Sequence, residues 1–290
     1  MLLGTLQPAS IGPGTTRPRD TKRLRAAMRR GLRRHEFAVT YQPRLDLGTG
    51  AVKGCEAKLR WPGRIGGVLA PQSFLAVAHG SEVMDQLDAF ALEEACAHAS
   101  AWGGKLVSVN VSGRRLASGG LADQVASALE RAGLAPENLE LELPETAVTN
   151  ADTGLLLALC ALRDIGVGLA LDHFGAGVAS LATLKRLPLT TLKLDQSLIR
   201  ALPGSREDAS IVHAMVQMAH AIGLTVVAEG VETEFQRAYL AALGCDEGQG
   251  PHLACPLPAE KVRPFLAYCD ETCSGRRSAP ETRHERTVRH

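Results

Sequence analysis

Six short apolar runs in this chain each carry a metal-ligand or acid/base residue at or near their end, and that repetition limits the fold more than any other feature. They are AVKGCEAKLR with Glu56, LVSVNVS with Asn110, LELELPE with Glu142, VGLALDHF with Asp172, TTLKLD with Lys193 and LTVVAEGVE with Glu229. Helix-like stretches separate most of them. Strands alternating with helices suit a barrel of mostly parallel strands, and in such a barrel the C-terminal strand ends converge on one mouth that carries the chemistry. Glu56, Glu142 and Asp172 with Asn110 on one rim point to a hard, oxygen-loving divalent cation. Lys193 and Glu229 beside them point to hydrolysis rather than storage of the ion.

The chain has 290 residues, and the strand–helix alternation from about Phe37 to Tyr268 favours one α/β barrel over two small domains. Only 4% of residues are aromatic while 45% are hydrophobic, so the core must be built from Leu, Val and Ala. A net charge of +1 gives no basis for bulk attraction to DNA, RNA or an anionic membrane. No apolar stretch is long enough to insert across a bilayer, and the N-terminus is a poor signal peptide. The seven cysteines form no CxxC pair and sit mostly in apolar runs, which predicts buried, reduced thiols and a cytoplasmic setting.

Residues 1–20, rich in Gly, Pro, Thr and Arg, are expected to be disordered, with the folded domain over 21–270 and a flexible polar tail over 271–290. A helix from Asp20 or Thr21 to about Arg34 should turn Leu24, Met28 and Leu32 inward and leave its arginines solvated. FAVTYQPRLDL and the run after LGTGAV lie too close together for a crossover helix and so form an antiparallel hairpin. Helices are then predicted near 72–80, 84–102, 121–132, 151–165, 178–187, 207–222, 233–243 and 259–269. The intervening strands fall at 105–111, 139–143, 168–172, 191–195, 225–228 and 247–250.

YQPRLDLGTGAVKGCEAKLRW, SVNVS, LELPE, LALDHFGAGVASLATLKRLP, LKLD, VVAEGVET and GCDEGQG together resemble the EAL domain family. The resemblance runs from about Leu24 to Tyr268. It implies a modified TIM (β/α)8 barrel with one antiparallel strand and hydrolysis of cyclic di-GMP to linear pGpG with Mg2+ or Mn2+. Glu56, Asn110, Glu142, Asp172 and the residue at 173 match the family's metal ligands. Lys193 matches the lysine that contacts the attacking water, and Glu229 the acid near the second metal. Gln249 matches the glutamine that helps hold the site, Gln42 and Arg60 match dinucleotide contacts, and Glu145 matches the anchor of the loop after Asp172. Taken singly, each residue has a blander reading: a strand-end acid, a turn asparagine, a snorkelling lysine or a helix-entry glutamate. Their joint occurrence favours the metal site.

Two departures bear on activity. His173 stands where the family has a second Asp; imidazole brings no negative charge when neutral and suits Mn, Fe or Zn better than Mg. A weakened or Mn-dependent second metal site is therefore one expectation, and a His that merely hydrogen-bonds Asp172 or a loop carbonyl is the other. Lys58 stands where the family has Leu, on the same strand face as Glu56 and Arg60. It could clasp a phosphate, compete with a metal ion or snorkel to solvent. The loop also lacks the family's hydroxyls at Ala176, Val178 and Ala179. The alternative to an active phosphodiesterase is a degenerate module that acts as a cyclic di-GMP receptor or a protein-interaction domain. Family members often pair through the barrel, so a homodimer is an expectation that the sequence leaves open.

Overall fold

The computed structural model describes residues 18–62, 68–69, 71–149, 151–177 and 180–277. Among these described residues ten strands run in chain order: β1 (Ala38–Asp46), β2 (Val52–Pro62), β3 (Val68–Leu69), β4 (Leu106–Asn110), β5 (Leu139–Pro144), β6 (Gly168–Phe174), β7 (Thr191–Leu194), β8 (Thr225–Glu229), β9 (Glu247–Gln249) and β10 (Leu257–Pro258). Neighbours pair in the order β1-β2-β4-β5-β6-β7-β8-β9, and β9 returns to β1 to close an eight-stranded barrel. β1 is antiparallel to both neighbours, and the other barrel pairs are parallel. This is the expected modified TIM barrel with one antiparallel strand. The short strands β3 and β10 extend β2 and β1 on the outside and were not foreseen.

The hairpin forms for a local reason. Asp46 Oδ1 accepts hydrogen bonds from Gly48 N (3.0 Å) and Thr49 N (2.8 Å), an Asx turn that reverses the chain between β1 and β2. In the barrel strands, alternation separates helix shell from barrel interior, not core from solvent. Leu139, Leu141 and Leu143 of β5 are buried in the main apolar cluster, while Glu140 and Glu142 between them face inward and are buried as well. The lower interior layer is polar: Arg44 Nη1 lies 2.6 Å from Glu140 Oε1, Arg44 Nε pairs with Glu247, and Thr191 Oγ1 donates to Glu140. Arg44 thus reaches across the interior from β1 to β5.

The first helix spans Pro18–Arg33, so residues 18–20 are helical and the disorder expected before them falls outside the described residues. Met28 is fully buried beside Phe37, Trp61 and Phe74, with Leu24 and Leu32 packed against them, and Phe37 stacks on Trp61 at 4.9 Å. The last helix, Ala259–Arg277, continues past its expected end at 269. Thr272 Oγ1 donates back to Tyr268 O (2.7 Å), Lys105 holds Asp270 at 3.1 Å, and no proline stands between Phe265 and Arg277 to interrupt it. The rest of the expected tail falls outside the described residues. The helix expected at 178–187 spans Leu181–Arg186, with Ser180 accepting from Thr183 N at its start; 178 and 179 are outside the described residues.

The cysteine expectation needs correction. Cys55, Cys96 and Cys245 are buried free thiols, but Cys160 and Cys255 are exposed and Cys269 is partly so: apolar neighbours in sequence need not share a helix face, as at Cys160 and Cys269, and Cys255 lies in the connection before β10. Among the described residues no helix is long and apolar enough to cross a membrane.

Candidate active site

Strand parity builds the site. Residues two apart on a strand share a face, so the polar residue above each lower-layer residue also points into the barrel. Register then sets their heights: Gln42 pairs with Glu56, Asn110 with Glu142, Pro144 with Asp172, and Glu229 with Gln249. One upper layer thereby collects groups from β1, β2, β4, β5, β6, β7, β8 and β9.

Lys193 is its centre. The side chain is 0% exposed, and Nζ lies 2.8 Å from Glu142 Oε2, 2.9 Å from Glu229 Oε1, 3.2 Å from Asp172 Oδ1 and 3.6 Å from Glu56 Oε2. Asn110 Nδ2 donates to both Glu56 Oε1 and Glu142 Oε2 at 3.1 Å. Gln249 Nε2 donates to Glu56 and, at 3.2 Å, to Gln42 Oε1, while Gln42 Nε2 donates to Ala254 O (3.1 Å). The four carboxylates expected at the rim therefore do converge, together with Asn110, Lys193 and Gln249.

Four acids outnumber the two ammonium groups beside them, Lys193 and Lys58, in a low-dielectric site. Burial and the like charges of Glu56 and Asp172 push the Glu142 carboxyl up to about 8, against the pull of Lys193. Burial raises Glu229 as well. Burial would also raise Glu56, but Lys193 and Lys58 beside it win and hold it well below the usual carboxylate range. Burial alone would lower Lys193; Asp172, Glu142, Glu229 and Glu56 together hold it well above the usual lysine value.

At the rim, His173 has φ +58°, in the left-handed region that non-glycine residues rarely adopt. Its ring is 58% exposed and sits among three carboxylates. Nε2 is 3.4 Å from Asp172 Oδ2, and Nδ1 is 3.1 Å from Asp195 Oδ2 and 3.4 Å from Glu229 Oε2. Glu145 Oε2 accepts from Gly177 N at 3.0 Å in the loop after β6. A Cβ at Gly177 would meet the Glu145 carboxyl carbon at 2.7 Å, so any larger residue there must push the Glu145 carboxyl out of its seat. Lys58 does not snorkel to solvent; its Nζ pairs with Glu56 Oε2 at 2.8 Å. Arg60, half-buried on the same face, donates to Leu59 O.

Two supporting acids escaped the reading of the sequence. Asp195 caps the helical turn Gln196–Ile199 through Ser197 N and holds His173; its position two residues after Lys193 in LKLD was the available signal. Asp88, on the helix Glu82–Ala99, accepts from Ser112 N (3.1 Å) and so ties down the segment just after Asn110. Nothing local in the sequence marks Asp88.

The donor set fits divalent cations. Asp172, His173 and Glu229 each offer one ligand atom, all within 4.8 Å of one another. Glu142 Oε1 is buried with no hydrogen-bond partner among the described residues, the condition expected of an oxygen awaiting a cation. Carboxylates and an amide offer the oxygen donors of a hard divalent cation, and the imidazole adds a nitrogen donor.

A family model described as the EAL domain matches residues 25–256. The chain is 40% identical over 246 residues to the bifunctional diguanylate cyclase/cyclic di-GMP phosphodiesterase MucR of Pseudomonas aeruginosa, a match covering 83% of this chain and 36% of that protein. It is 41% identical over 245 residues to the cyclic di-GMP phosphodiesterase NbdA of the same organism, covering 82% of this chain and 31% of that one. The chain thus spans about a third of the length of these curated relatives. A solved structure of the PaMucR phosphodiesterase in complex with c-di-GMP aligns with TM-score 0.79 at 38% identity, covering 83% of this chain and 99% of that one.

Proposed function

The chain belongs to the EAL domain family, and from that premise we propose that it is a metal-dependent phosphodiesterase that opens cyclic di-GMP to linear pGpG. The observation that carries the reading is the convergence of Glu56, Glu142, Asp172 and Glu229 on Lys193, with Asn110 bridging two of them at one barrel mouth. The relatives named as cyclic di-GMP phosphodiesterases support the substrate.

In this reading Glu56, Asn110, Glu142, Asp172 and His173 hold Mg2+ or Mn2+. The chemistry that bound divalent ions supply is neutralisation of phosphodiester charge, a water of lowered pKa and stabilisation of the leaving oxygen. Lys193 keeps its proton at neutral pH, so it donates hydrogen bonds to the attacking water and does not act as a base. Glu229, beside Lys193 and His173, orients that water from the other side. Gln249 and Asn110 fix the two oxygens of Glu56. Gln42 and Arg60 contact the dinucleotide, and Glu145 holds the loop after β6 through Gly177. Attack of water on one phosphorus breaks one P–O ester bond, and the ring opens. The buried free thiols suit a reducing cytoplasm.

His173 and the Lys58–Glu56 pair favour a second reading, a receptor that holds cyclic di-GMP without turnover. One experiment separates the two. The purified chain is incubated with cyclic di-GMP and Mg2+ or Mn2+, and the products are resolved by chromatography while binding is followed by calorimetry. Accumulation of pGpG, faster with Mn2+, supports the enzyme. Tight binding with intact nucleotide under both ions overturns it in favour of the receptor.

A further inference from the structure

Lys58 occupies a position from which it opposes the metal centre. Glu56 has both oxygens engaged: Oε1 accepts from Asn110 Nδ2, and Oε2 meets Lys58 Nζ at 2.8 Å, Gln249 Nε2, and Lys193 Nζ at 3.6 Å. A cation that takes Glu56 as a ligand must displace one of these groups from the oxygen it binds. The amides of Asn110 and Gln249 are neutral and tied to further partners, Glu142 and Gln42. Lys193 is wholly buried and serves three other carboxylates. Lys58 has a flexible stem, 28% side-chain exposure, and Glu56 as its one ion-pair partner among the described residues. It is the group that can leave.

We propose that Lys58 is an internal counter-ion that competes with the divalent cation for Glu56, weakening metal binding and making occupancy of the site depend on cation concentration. The inference rests on the metal-site reading above and adds a residue that acts through Glu56. The physical basis is exchange: a metal ion entering the site must break a charge-assisted hydrogen bond in a partly desolvated setting, where such contacts are stronger than on the open surface. With metal bound, the ammonium swings to the mouth and the exchange is complete. A phosphate clasp is the competing role, and the ion pair with Glu56 argues against it as the resting state.

The test is isothermal titration calorimetry of the full chain with MnCl2 alone, without nucleotide, on wild type, K58L, K58M, K58R, E56Q and E56Q/K58L. Circular dichroism melting establishes that each variant is folded. We expect K58L and K58M to bind Mn2+ about tenfold more tightly than wild type, as removal of a competing charge predicts. K58R keeps the charge and should stay near wild type. In the E56Q background the gain from K58L should vanish, because the competitor and its target act as a pair. K58L and K58M binding no more tightly than wild type, while E56Q weakens binding, overturns this inference and leaves Glu56 as a ligand. E56Q binding as tightly as wild type removes Glu56 from the metal site and takes the inference with it.

Discussion

Lys193 shows how one buried residue organises a site. An ammonium at 0% exposure survives only because four carboxylates lie within 3.6 Å, and those carboxylates tolerate one another only because the ammonium is there. The charge balance still leaves the acids in excess, which is the electrostatic ground for a cation site. His173 tests how far that excess reaches. If replacing an acid by imidazole limits cation occupancy, H173D should raise turnover with Mg2+ by about tenfold, the effect of about 1.4 kcal/mol; an unchanged or lower rate would show that position 173 is not limiting. Asp88 gives a residue-level prediction for stability. Burial holds its carboxyl at about 6 against an ordinary 3.8. Between those values the folded chain keeps a proton that the unfolded chain gives up, so Asp88 makes stability fall as pH rises through the window. The fall amounts to about 3 kcal/mol. D88N, whose amide oxygen can still accept from Ser112 N, should remove it, and denaturant titrations of both proteins from pH 4 to 7 would read the difference.

At the level of elements, the loop after β6 matters most. It follows directly on Asp172 and His173 at the end of β6, passes through Gly175 at φ +98° and is pinned where Gly177 N meets Glu145. Glu145 itself opens the helical turn Glu145–Val148 directly after β5, so the loop is fastened to the end of the neighbouring strand. G177A should therefore unseat the loop without unfolding the barrel. We expect kcat to fall at least about tenfold, since misplacing catalytic groups by about an ångström is costly, with the melting temperature within a few degrees of wild type. Wild-type turnover in G177A would mean that the Glu145 contact does not position the site. The short helical turns Gly113–Ala117, Glu145–Val148 and Gln196–Ile199 were not legible in the sequence, because each is too short to show a periodic apolar pattern; Ser112 and Asp195 cap the first and third through their side chains, and the second has no side-chain cap.

For the whole molecule, the barrel and most of its upper polar layer were legible from strand parity: LELELP, LKLD and the run around Glu56 each alternate between helix shell and interior, and the parallel register brings those interiors to one height. What parity could not supply were contacts between elements distant in sequence. Asp88 seats Ser112 from a helix and Arg44 spans the interior to Glu140, both outcomes of packing; parity put Lys58 on the face of Glu56 but did not decide that it would pair with Glu56 instead of solvent. The account as a whole stands on the upper layer being a cation site that receives a phosphodiester. The most direct measurement is anomalous diffraction from crystals grown with Mn2+ and cyclic di-GMP. The account predicts Mn2+ coordinated by Asp172 with Glu56, Asn110 and Glu142, and a phosphate of the dinucleotide on the same ion. Crystals with nucleotide bound and no ion at these side chains, or with Mn2+ bound only elsewhere, would contradict it.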